Sequence, residues 1–298
     1  MNGVLLLNKP YGITSHDAVN KVRRIYSTKK VGHTGTLDPM ATGVLPILVG
    51  NAVKASEFLV SDNKEYKARL ILGIETDTED TSGKVIRESS LIPEDKAVEE
   101  VVKSFLGDYE QIPPMYSAIK VNGQKLYDLA RRGEVIEREA RKVRVDAISS
   151  KKISEREWEI CAAVSKGTYI RTLVADIGRK LGCGASMSAL ERTVSGDFSL
   201  DNCYTFEEIE NTSDLSSILL ETETLFEKYP RAELSEFYTR LFENGAEIYL
   251  SRAGLVGFEE GDLLRVCDNY GKFFAFGEVK LYEKGLAIKS KKFFKETL

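Results

Sequence analysis

The chain of 298 residues is long enough for one large domain with a smaller one, and its 42% hydrophobic and 30% charged composition is typical of a soluble globular protein. No apolar run reaches the length of a transmembrane helix, and residues 1–10 lack the basic start and long apolar core of a signal peptide, which predicts a cytoplasmic protein. Four isolated cysteines and two histidines provide no zinc or redox motif, so neither a metal nor a cofactor is predicted.

The charge is unevenly distributed along the chain, although the net value of −4 argues weakly against nucleic-acid binding. Basic residues are in excess by five in residues 1–33 and by six in residues 120–180, whereas acidic residues are in excess by six in 75–100 and by eight in 201–236. Phosphate binding needs a basic face, whatever the total charge. We expect the basic segments to form one face and residues 201–236 to lie away from it. Solvated charged faces are the alternative.

The first elements are a strand, a helix and a loop. Residues 4–7 predict an apolar strand that ends in a turn at residues 8–12. A helix capped by Thr14 or Ser15 follows, and its predicted inner face is an apolar stripe made of Ala18, Val19, Val22, Ile25 and Tyr26.

Residues 32–46, GHTGTLDPMATGVLP, predict a compact loop that enters an apolar strand at residues 44–49. Its three glycines and two prolines break a helix, and it lacks the alternation of a long strand. Pro39 disfavours the helical conformation for Asp38, which places this carboxylate at a rigid corner open to a bulky substrate. The alternative is an ordinary Asp-Pro turn. A phosphate-binding loop is disfavoured, because the glycine spacing and the Lys-Ser/Thr ending are missing.

The middle of the chain predicts alternating strands and helices. A short helix near residues 54–59 is followed by a strand at 64–73 and an acidic loop at 75–83. Pro93 begins a helix that Gly107 stops, and the side chains predicted to face inward are Val98, Val101, Val102, Phe105 and Leu106. Residues 119–125 predict a strand with an Asn122-Gly123 turn.

The remaining pattern predicts an α+β fold with a mixed, largely antiparallel sheet flanked by helices. The further predicted elements are a short helix at 127–132, strands at 143–153, 158–164 and 193–195, and a helix that runs from a Thr168 cap to Gly182. Residues 201–230 predict helix and linker. From Arg231 onward, glycines at near-regular intervals predict a small β-barrel, which divides the chain into domains 1–230 and 231–298.

Five blocks of sequence, taken in order, closely resemble the bacterial tRNA pseudouridine-55 synthases of the TruB type. They are LLNKPYGITS at 6–15, GHTGTLDP with ATGVLP at 32–46, KEY at 64–66, YIRTL at 169–173 and GCGA at 182–185. The resemblance covers about residues 2–196, and its block at 32–46 is long and specific. The C-terminal part more loosely resembles the PUA-type RNA-binding domain of such enzymes.

This resemblance implies a pseudouridine synthase that isomerises uridine 55 in the T-loop of tRNA. Such enzymes break the N1–C1′ bond, turn the base and rejoin it through C5, without a cofactor or an energy source. The implied partner is the T-arm of tRNA, and we expect a monomer. The target uridine must leave its stack, which costs a few kcal/mol, and stacking on a tyrosine offsets part of that cost.

The resemblance also implies the catalytic residues. Asp38 matches the catalytic aspartate, Tyr66 the tyrosine that stacks on the target base, and Arg171 the arginine that pairs with the aspartate. A carboxylate beside an arginine keeps the charged form that a nucleophile or base needs. The sequence leaves open whether Asp38 attacks C1′, attacks C6 or removes the 2′ proton.

Four further residues match substrate-binding positions. His33 corresponds to the histidine beside the flipped base, Tyr169 and Leu190 to residues that line the base pocket, and Lys9 to the lysine of a Lys-Pro motif near the site. Asn8 is a departure, because aspartate is common before that motif, and the change affects loop anchoring rather than catalysis.

Two other classes of function compete with this interpretation. An RNA-binding module without catalysis, such as a tRNA-folding chaperone, would use the basic segments equally well but leaves the pairing of Asp38 with Arg171 unexplained. A hydrolase or nucleotidyl transferase acting through Asp38 needs a metal cluster or a second histidine or carboxylate partner, and the loop offers none.

Overall fold

The computed structural model describes residues 1–59, 63–117, 119–121 and 123–295. The helices in these residues are α1 (Ser15–Ile25), α2 (Asp95–Lys103), α3 (Leu126–Arg131), α4 (Ile170–Leu181), α5 (Phe206–Asn211), α6 (Glu236–Glu243) and α7 (Leu250–Ala253), with short 3₁₀ segments at Gly50–Phe58, Leu200–Asn202 and Thr222–Phe226. The strands are β1 (Gly3–Lys9), β2 (Val31–His33), β3 (Ala41–Val49), β4 (Lys64–Leu72), β5 (Ile74–Thr76), β6 (Val85–Glu88), β7 (Gly107–Gln111), β8 (Lys120–Val121), β9 (Gln124–Lys125), β10 (Arg141–Lys152), β11 (Glu157–Val164), β12 (Ala185–Ser195), β13 (Phe198–Ser199), β14 (Arg231–Glu233), β15 (Ile248–Tyr249), β16 (Leu263–Cys267), β17 (Phe273–Tyr282) and β18 (Gly285–Phe293).

Nine strands form the main sheet, in the order β1-β3-β12-β4-β11-β10-β7, with β2 also paired to β3 and β13 to β12. Within the described part of this sheet only the β3–β12 pairing is parallel, which confirms the predicted mixed, largely antiparallel α+β fold. The central strand β12 is longer than the predicted residues 193–195. It begins at Ala185, and its middle part, residues 190–192, lies between β3 and β4.

Strand β3 begins inside the predicted loop, so the loop itself is shorter than residues 32–46. Gly43 has a φ of +101°, and a Cβ there would lie 2.2 Å from the backbone oxygen of Arg192, so only glycine fits. The carbonyl of Pro46 accepts from Thr34 N, on the edge of β3 away from β1. The Pro46 nitrogen, which has no hydrogen to donate, lies on the same edge, so the pairing with β1 loses no hydrogen bond and the proline is tolerated. The remaining segment, residues 34–40, is called the aspartate corner below.

Helices α1, α2 and α4 pack their apolar stripes against the main sheet. Thr14 caps α1 through a reciprocal pair of hydrogen bonds with Asp17. The predicted cap of α4 was wrong, because Tyr169 occupies that position while the Thr168 hydroxyl donates to Ser165 O. Gly182 ends α4 in the left-handed conformation as predicted. No helix in the described residues is long and apolar enough to cross a membrane.

Two local predictions needed correction. Leu106 is exposed rather than inward, because α2 ends at Lys103 and Gly107 already begins β7, which was not predicted. The acidic segment 75–83 is only partly a loop, since its first two residues belong to β5, which forms a hairpin with β6. Strands β8 and β9 pair on either side of the predicted turn, in which Gly123 has a φ of +81°, while Asn122 lies outside the described residues.

The C-terminal part forms a second sheet, in the order β14-β16-β17-β18-β15, which curls into a half-barrel. It has its own apolar core, and α6, which was not predicted, contributes Phe242 to that core. The predicted small barrel is therefore present, with helices included. The division at residue 230 remains a prediction.

An aromatic junction joins the two sheets. We define it as six rings: Phe58, Phe226, Tyr229, Phe273, Phe276 and Phe294. The Phe226 and Phe276 centroids lie 4.6 Å apart, and both side chains are fully buried. Strand β1 contributes alternate residues to the main core and to the cluster around the junction. Leu5 and Leu7 pack into the main core, whereas Val4 and Leu6 pack beside the junction rings.

Candidate active site

The aspartate corner is held by hydrogen bonds to its backbone on both sides of Asp38. The buried Ser15 hydroxyl accepts a hydrogen bond from Leu37 N at 2.8 Å and donates one to Leu37 O at 3.0 Å. Pro39 O accepts from Gly12 N at 2.8 Å. The Asp38 side chain itself remains 38% exposed, so a fixed backbone presents an accessible carboxylate.

Arg171 lies in the first turn of α4 and points its guanidinium at this carboxylate. Its Nε is 3.0 Å from Asp38 Oδ2, and its Nη1 is 3.6 Å from Oδ2 of the buried Asp80. Two backbone carbonyls complete the set, because Nη1 donates to Thr78 O at 3.2 Å and Nη2 to Tyr116 O at 3.0 Å. With its side chain only 7% exposed, Arg171 is held in place by groups other than Asp38.

Lys9 connects the turn after β1 to the aspartate corner. Its fully buried ammonium donates to Ile13 O at 2.7 Å, to Pro10 O at 2.9 Å and to Pro39 O at 3.5 Å. Burial lowers the pKa of Lys9 to about 8, and the charge of Asp38 opposes that shift. Lys9 therefore supports the corner through the carbonyl of Pro39 and does not reach solvent.

Arg192 on β12 is a third buried cation, which was not predicted from the sequence. Its Nε donates to Val44 O at 2.7 Å and its Nη2 to Gly35 O at 3.1 Å, so it ties the corner to the start of β3. Its positive charge also contributes to lowering the pKa of Lys9 and of His33. The only sequence signal is Gly43, whose missing side chain makes room for the Arg192 backbone.

The predicted pocket residues lie on β12, on β4 and at the start of α4. Leu190 is buried on β12, opposite Ala41 at the start of β3. Tyr66 is half-buried on β4, opposite Arg192. The backbone of Tyr169 is clamped by the Gln111 amide, with hydrogen bonds of 2.8 and 3.0 Å, and burial raises the pKa of its phenol.

His33 lies on β2, directly before the corner, and pairs with Ile47 of β3. Burial lowers the pKa of its imidazole, which is therefore neutral near pH 7. Its Nδ1 is buried without a hydrogen-bond partner among the described residues. The structure thus places His33 beside the corner as an uncharged ring.

The support that Asp80 and Glu79 give to Arg171 and its helix was not predicted from the sequence. Asp80 is 5% exposed and accepts hydrogen bonds from Ser82 N at 3.0 Å and Thr78 Oγ1 at 2.9 Å. Glu79, beside it, accepts from the Thr172 hydroxyl at 2.6 Å. The predicted acidic loop therefore carries two groups that support the site.

The charge segregation predicted from the sequence is incomplete at one point. Lys21 of the basic segment 1–33 lies 2.9 Å from Glu210 of the acidic segment 201–236. The acidic segment therefore contacts α1 there.

Chemically, the site offers one accessible carboxylate that is positioned by a buried guanidinium. The described residues contain no group of three His, Cys, Asp or Glu side chains that could hold a metal ion. Asp80 does not act as a second acid beside Asp38, because Arg171 lies between the two carboxylates. The geometry suits a single nucleophile or base acting on a substrate that enters the corner.

Comparison with known proteins agrees with the resemblance seen in the sequence. Residues 23–170 match the family described as "TruB family pseudouridylate synthase (N terminal domain)", and residues 171–227 match "tRNA pseudouridylate synthase B C-terminal domain". A curated protein of Clostridium tetani named "tRNA pseudouridine synthase B" is 46% identical over 93% of this chain and 96% of its own length. Its namesake in Bacillus subtilis is 47% identical over 83% of each chain.

Solved structures share the fold across both sheets. "Crystal Structure of a Cbf5-Nop10-Gar1 Complex" aligns with a TM-score of 0.72 and 28% identity, over 98% of this chain and 85% of that chain. "Structure of H/ACA RNP bound to a substrate RNA containing 2'-deoxyuridine" aligns with a TM-score of 0.71 and 26% identity, over 99% and 85%. These alignments include the C-terminal half-barrel, which fits a PUA-like domain.

Proposed function

The chain belongs to the TruB family of tRNA pseudouridine synthases, and from this membership we propose that it isomerises uridine 55 in the T-loop of tRNA through Asp38. The observation that carries the role of Asp38 is its contact with Arg171, 3.0 Å from Nε to Oδ2, on an otherwise rigid and open corner. Rigid placement of a reacting group is a large part of enzymatic rate acceleration.

The reaction conserves the atoms of the nucleotide. The N1–C1′ bond breaks, the base turns, and a C5–C1′ bond forms. The proton on C5 is then lost and N1 takes up a proton, so the product is an isomer of the substrate. Asp38 serves by attacking C1′, by attacking C6 or by removing the 2′ proton.

The other residues act on the flipped nucleotide or on the corner. Tyr66 stacks on the target base, and Leu190 and Tyr169 line its pocket. Lys9 and the neutral His33 flank the corner from β1 and β2. These roles are the ones that the resemblance to the family implies for the matching residues.

Recognition of tRNA is divided between shape and charge. The T-arm supplies the fold that is recognised, and the basic segments 1–33 and 120–180 bind phosphates. The half-barrel from Arg231 onward adds affinity outside the T-arm. We place the protein in the cytoplasm as a monomer.

The test is incubation of the purified protein with an unmodified tRNA transcript, followed by mapping of pseudouridine and measurement of RNA mass. Pseudouridine at position 55 with unchanged mass is expected, and an isolated T-arm stem-loop should also react. Asp38→Asn is the matched control, since the amide is nearly isosteric, and it should lower the rate about 10²- to 10⁴-fold with tRNA binding retained.

Three results would contradict this proposal. Cleaved RNA would favour a hydrolase, and faster tRNA folding without any isomerisation would favour a chaperone. An Asp38→Asn variant that retains more than a few per cent of the wild-type rate would remove Asp38 from the chemistry.

A further inference from the structure

Two consecutive contacts join α4 to the segment that follows β5. Arg171 contacts Asp80, and the next residue of the helix, Thr172, donates to Oε2 of Glu79 at 2.6 Å. The Thr172 side chain is buried at 1% exposure. The helix turn that carries Arg171 is therefore attached to the segment at two successive residues rather than one.

The backbone at Glu79 has a conformation that side chains disfavour. Its φ is +64°, and Ser27 is the only other described non-glycine residue with a positive φ. The conformation is held from both sides, because Glu79 N donates to Thr76 O at 3.2 Å and Glu79 O accepts from Met187 N at 3.0 Å. A strained backbone that is fixed in this way, in the segment that contacts Arg171, is a recognised sign of function.

Hydrogen bonding rather than close packing positions the Glu79 carboxylate. A cavity of about 240 Å³ lies beside it, lined in part by Arg179, Met115 and Arg138. Glu79 Oε1 is 3.5 Å from Arg179 Nη2, a looser contact than the one to Thr172. Burial raises the pKa of Glu79, so its carboxylate is retained at an electrostatic cost.

We propose that Glu79 is a positioning residue for the isomerisation, which holds Arg171 against Asp38 by fixing Thr172 and the first turn of α4. The inference rests on the proposed function and extends it to a residue that does not touch the substrate. Without the Glu79 carboxylate, the first turn of α4 loses one of its two attachments beside Asp38.

The experiment compares Glu79→Ala with Glu79→Gly, which both lack the carboxylate but differ in backbone strain. If the carboxylate positions Arg171, both variants should lower the single-turnover rate about ten-fold, while the Kd for tRNA changes less than about two-fold. Glu79→Gln retains an oxygen for Thr172 and should recover most of the rate. Glu88→Ala, on the exposed face of the hairpin, is the control and should react as the wild type does.

Thr172→Val should reproduce the loss, and the double variant with Glu79→Ala should be no slower than either single variant. A readout without RNA is the Nε–H resonance of the Arg171 guanidinium, assigned by its disappearance in Arg171→Lys. It should shift in Glu79→Ala and Glu79→Gly but not in Glu79→Gln.

A Glu79→Gly variant with the wild-type rate would overturn the inference, because it would show that only backbone strain matters. An unmoved Arg171 resonance in Glu79→Ala would overturn it as well. If the wild type forms no pseudouridine while the Arg171 resonance still depends on Glu79, it is the proposed function that fails.

Discussion

The aspartate corner and the aromatic junction are both rigid, but different forces hold them. At the corner, buried polar side chains donate to backbone carbonyls, as Lys9 and Arg192 do. At the junction, rings such as Phe58 and Phe276 pack edge to face, with centroids 5.0 Å apart. Hydrogen bonds are directional and fix the position of a group, whereas apolar packing supplies stability with less geometric precision.

The difference shows why the chemistry is at the corner. A reacting carboxylate must be placed to a fraction of an ångström, and directional bonds achieve this at the cost of buried charge. The junction carries no such demand and can use apolar area alone. Substitutions at the junction should therefore mainly lower stability, whereas substitutions at the corner should also lower the reaction rate.

The largest effect on stability is expected at the junction. Phe276→Ala removes a fully buried ring and should lower the free energy of unfolding by about 3–5 kcal/mol. Phe237→Ala, at a ring that is 65% exposed, is the matched control and should have little effect. Denaturant unfolding measures both changes.

The same Phe276→Ala variant should isomerise a T-arm stem-loop at nearly the wild-type rate under conditions where it is folded. A folded variant that binds the stem-loop but reacts ten-fold slower or worse would break the proposed separation of stability from chemistry.

An intermediate effect is expected for Lys9→Met, which leaves three carbonyls without their donor. The loss should be about 1–3 kcal/mol of unfolding free energy, since buried acceptors remain unsatisfied. The rate should fall too, because Pro39 beside Asp38 loses a tether. A variant that loses stability but keeps its full rate would show that Lys9 does not position the corner.

The contribution of Lys9 should also depend on pH. The folded protein releases this proton near pH 8, below the ordinary pKa of 10.5, so the unfolded chain binds more protons between those values. The unfolding free energy of the wild type, relative to Lys9→Met, should therefore rise with pH across this window. A difference that stays flat would mean that the pKa of Lys9 is not lowered.

The smallest effect is expected for Tyr66→Phe, which sharpens the comparison because it should alter the rate alone. The ring still stacks, so affinity should persist, while the rate falls if the hydroxyl takes part in proton transfer. Tyr66→Ala should weaken binding as well, by about 1–3 kcal/mol for the lost stacking. Near-normal kinetics for Tyr66→Ala would make this residue purely structural.

Sequence patterns predicted elements whose faces differ in polarity. The apolar stripe of α1 stands out because the other side of that helix meets solvent, and α4 is marked by Gly182, a stop that few residues can form. Strand β12 was mostly missed because it lies within the sheet and buries polar residues such as Ser186 and Arg192. A buried arginine cannot be told from an exposed one by its sequence neighbours.

The site was predictable where its chemistry is local. Glycines and prolines around Asp38 indicate a rigid loop whatever the rest of the fold does. The support from Glu79 and Asp80 was not predictable, because these residues are positioned by Met187 of β12, which exchanges backbone hydrogen bonds with their segment. Only the tertiary structure converts an acidic run into part of a site.

Strand β1 has apolar residues on both faces, so hydrophobicity alone does not fix its pairing register with β3. Sliding it by one residue along β3 would exchange the faces, and hydrophobicity hardly opposes the slip. The ends of the strand do oppose it. A slip that brings Val4 to the place of Gly3 is blocked, because a Cβ there would lie 2.5 Å from Leu220 O. The opposite slip brings Asn8 to the place of Lys9, and Asn8 has no ammonium for the carbonyls that bind Lys9. Gly3 and Lys9 thus set the register of the strand that packs into both the main core and the junction.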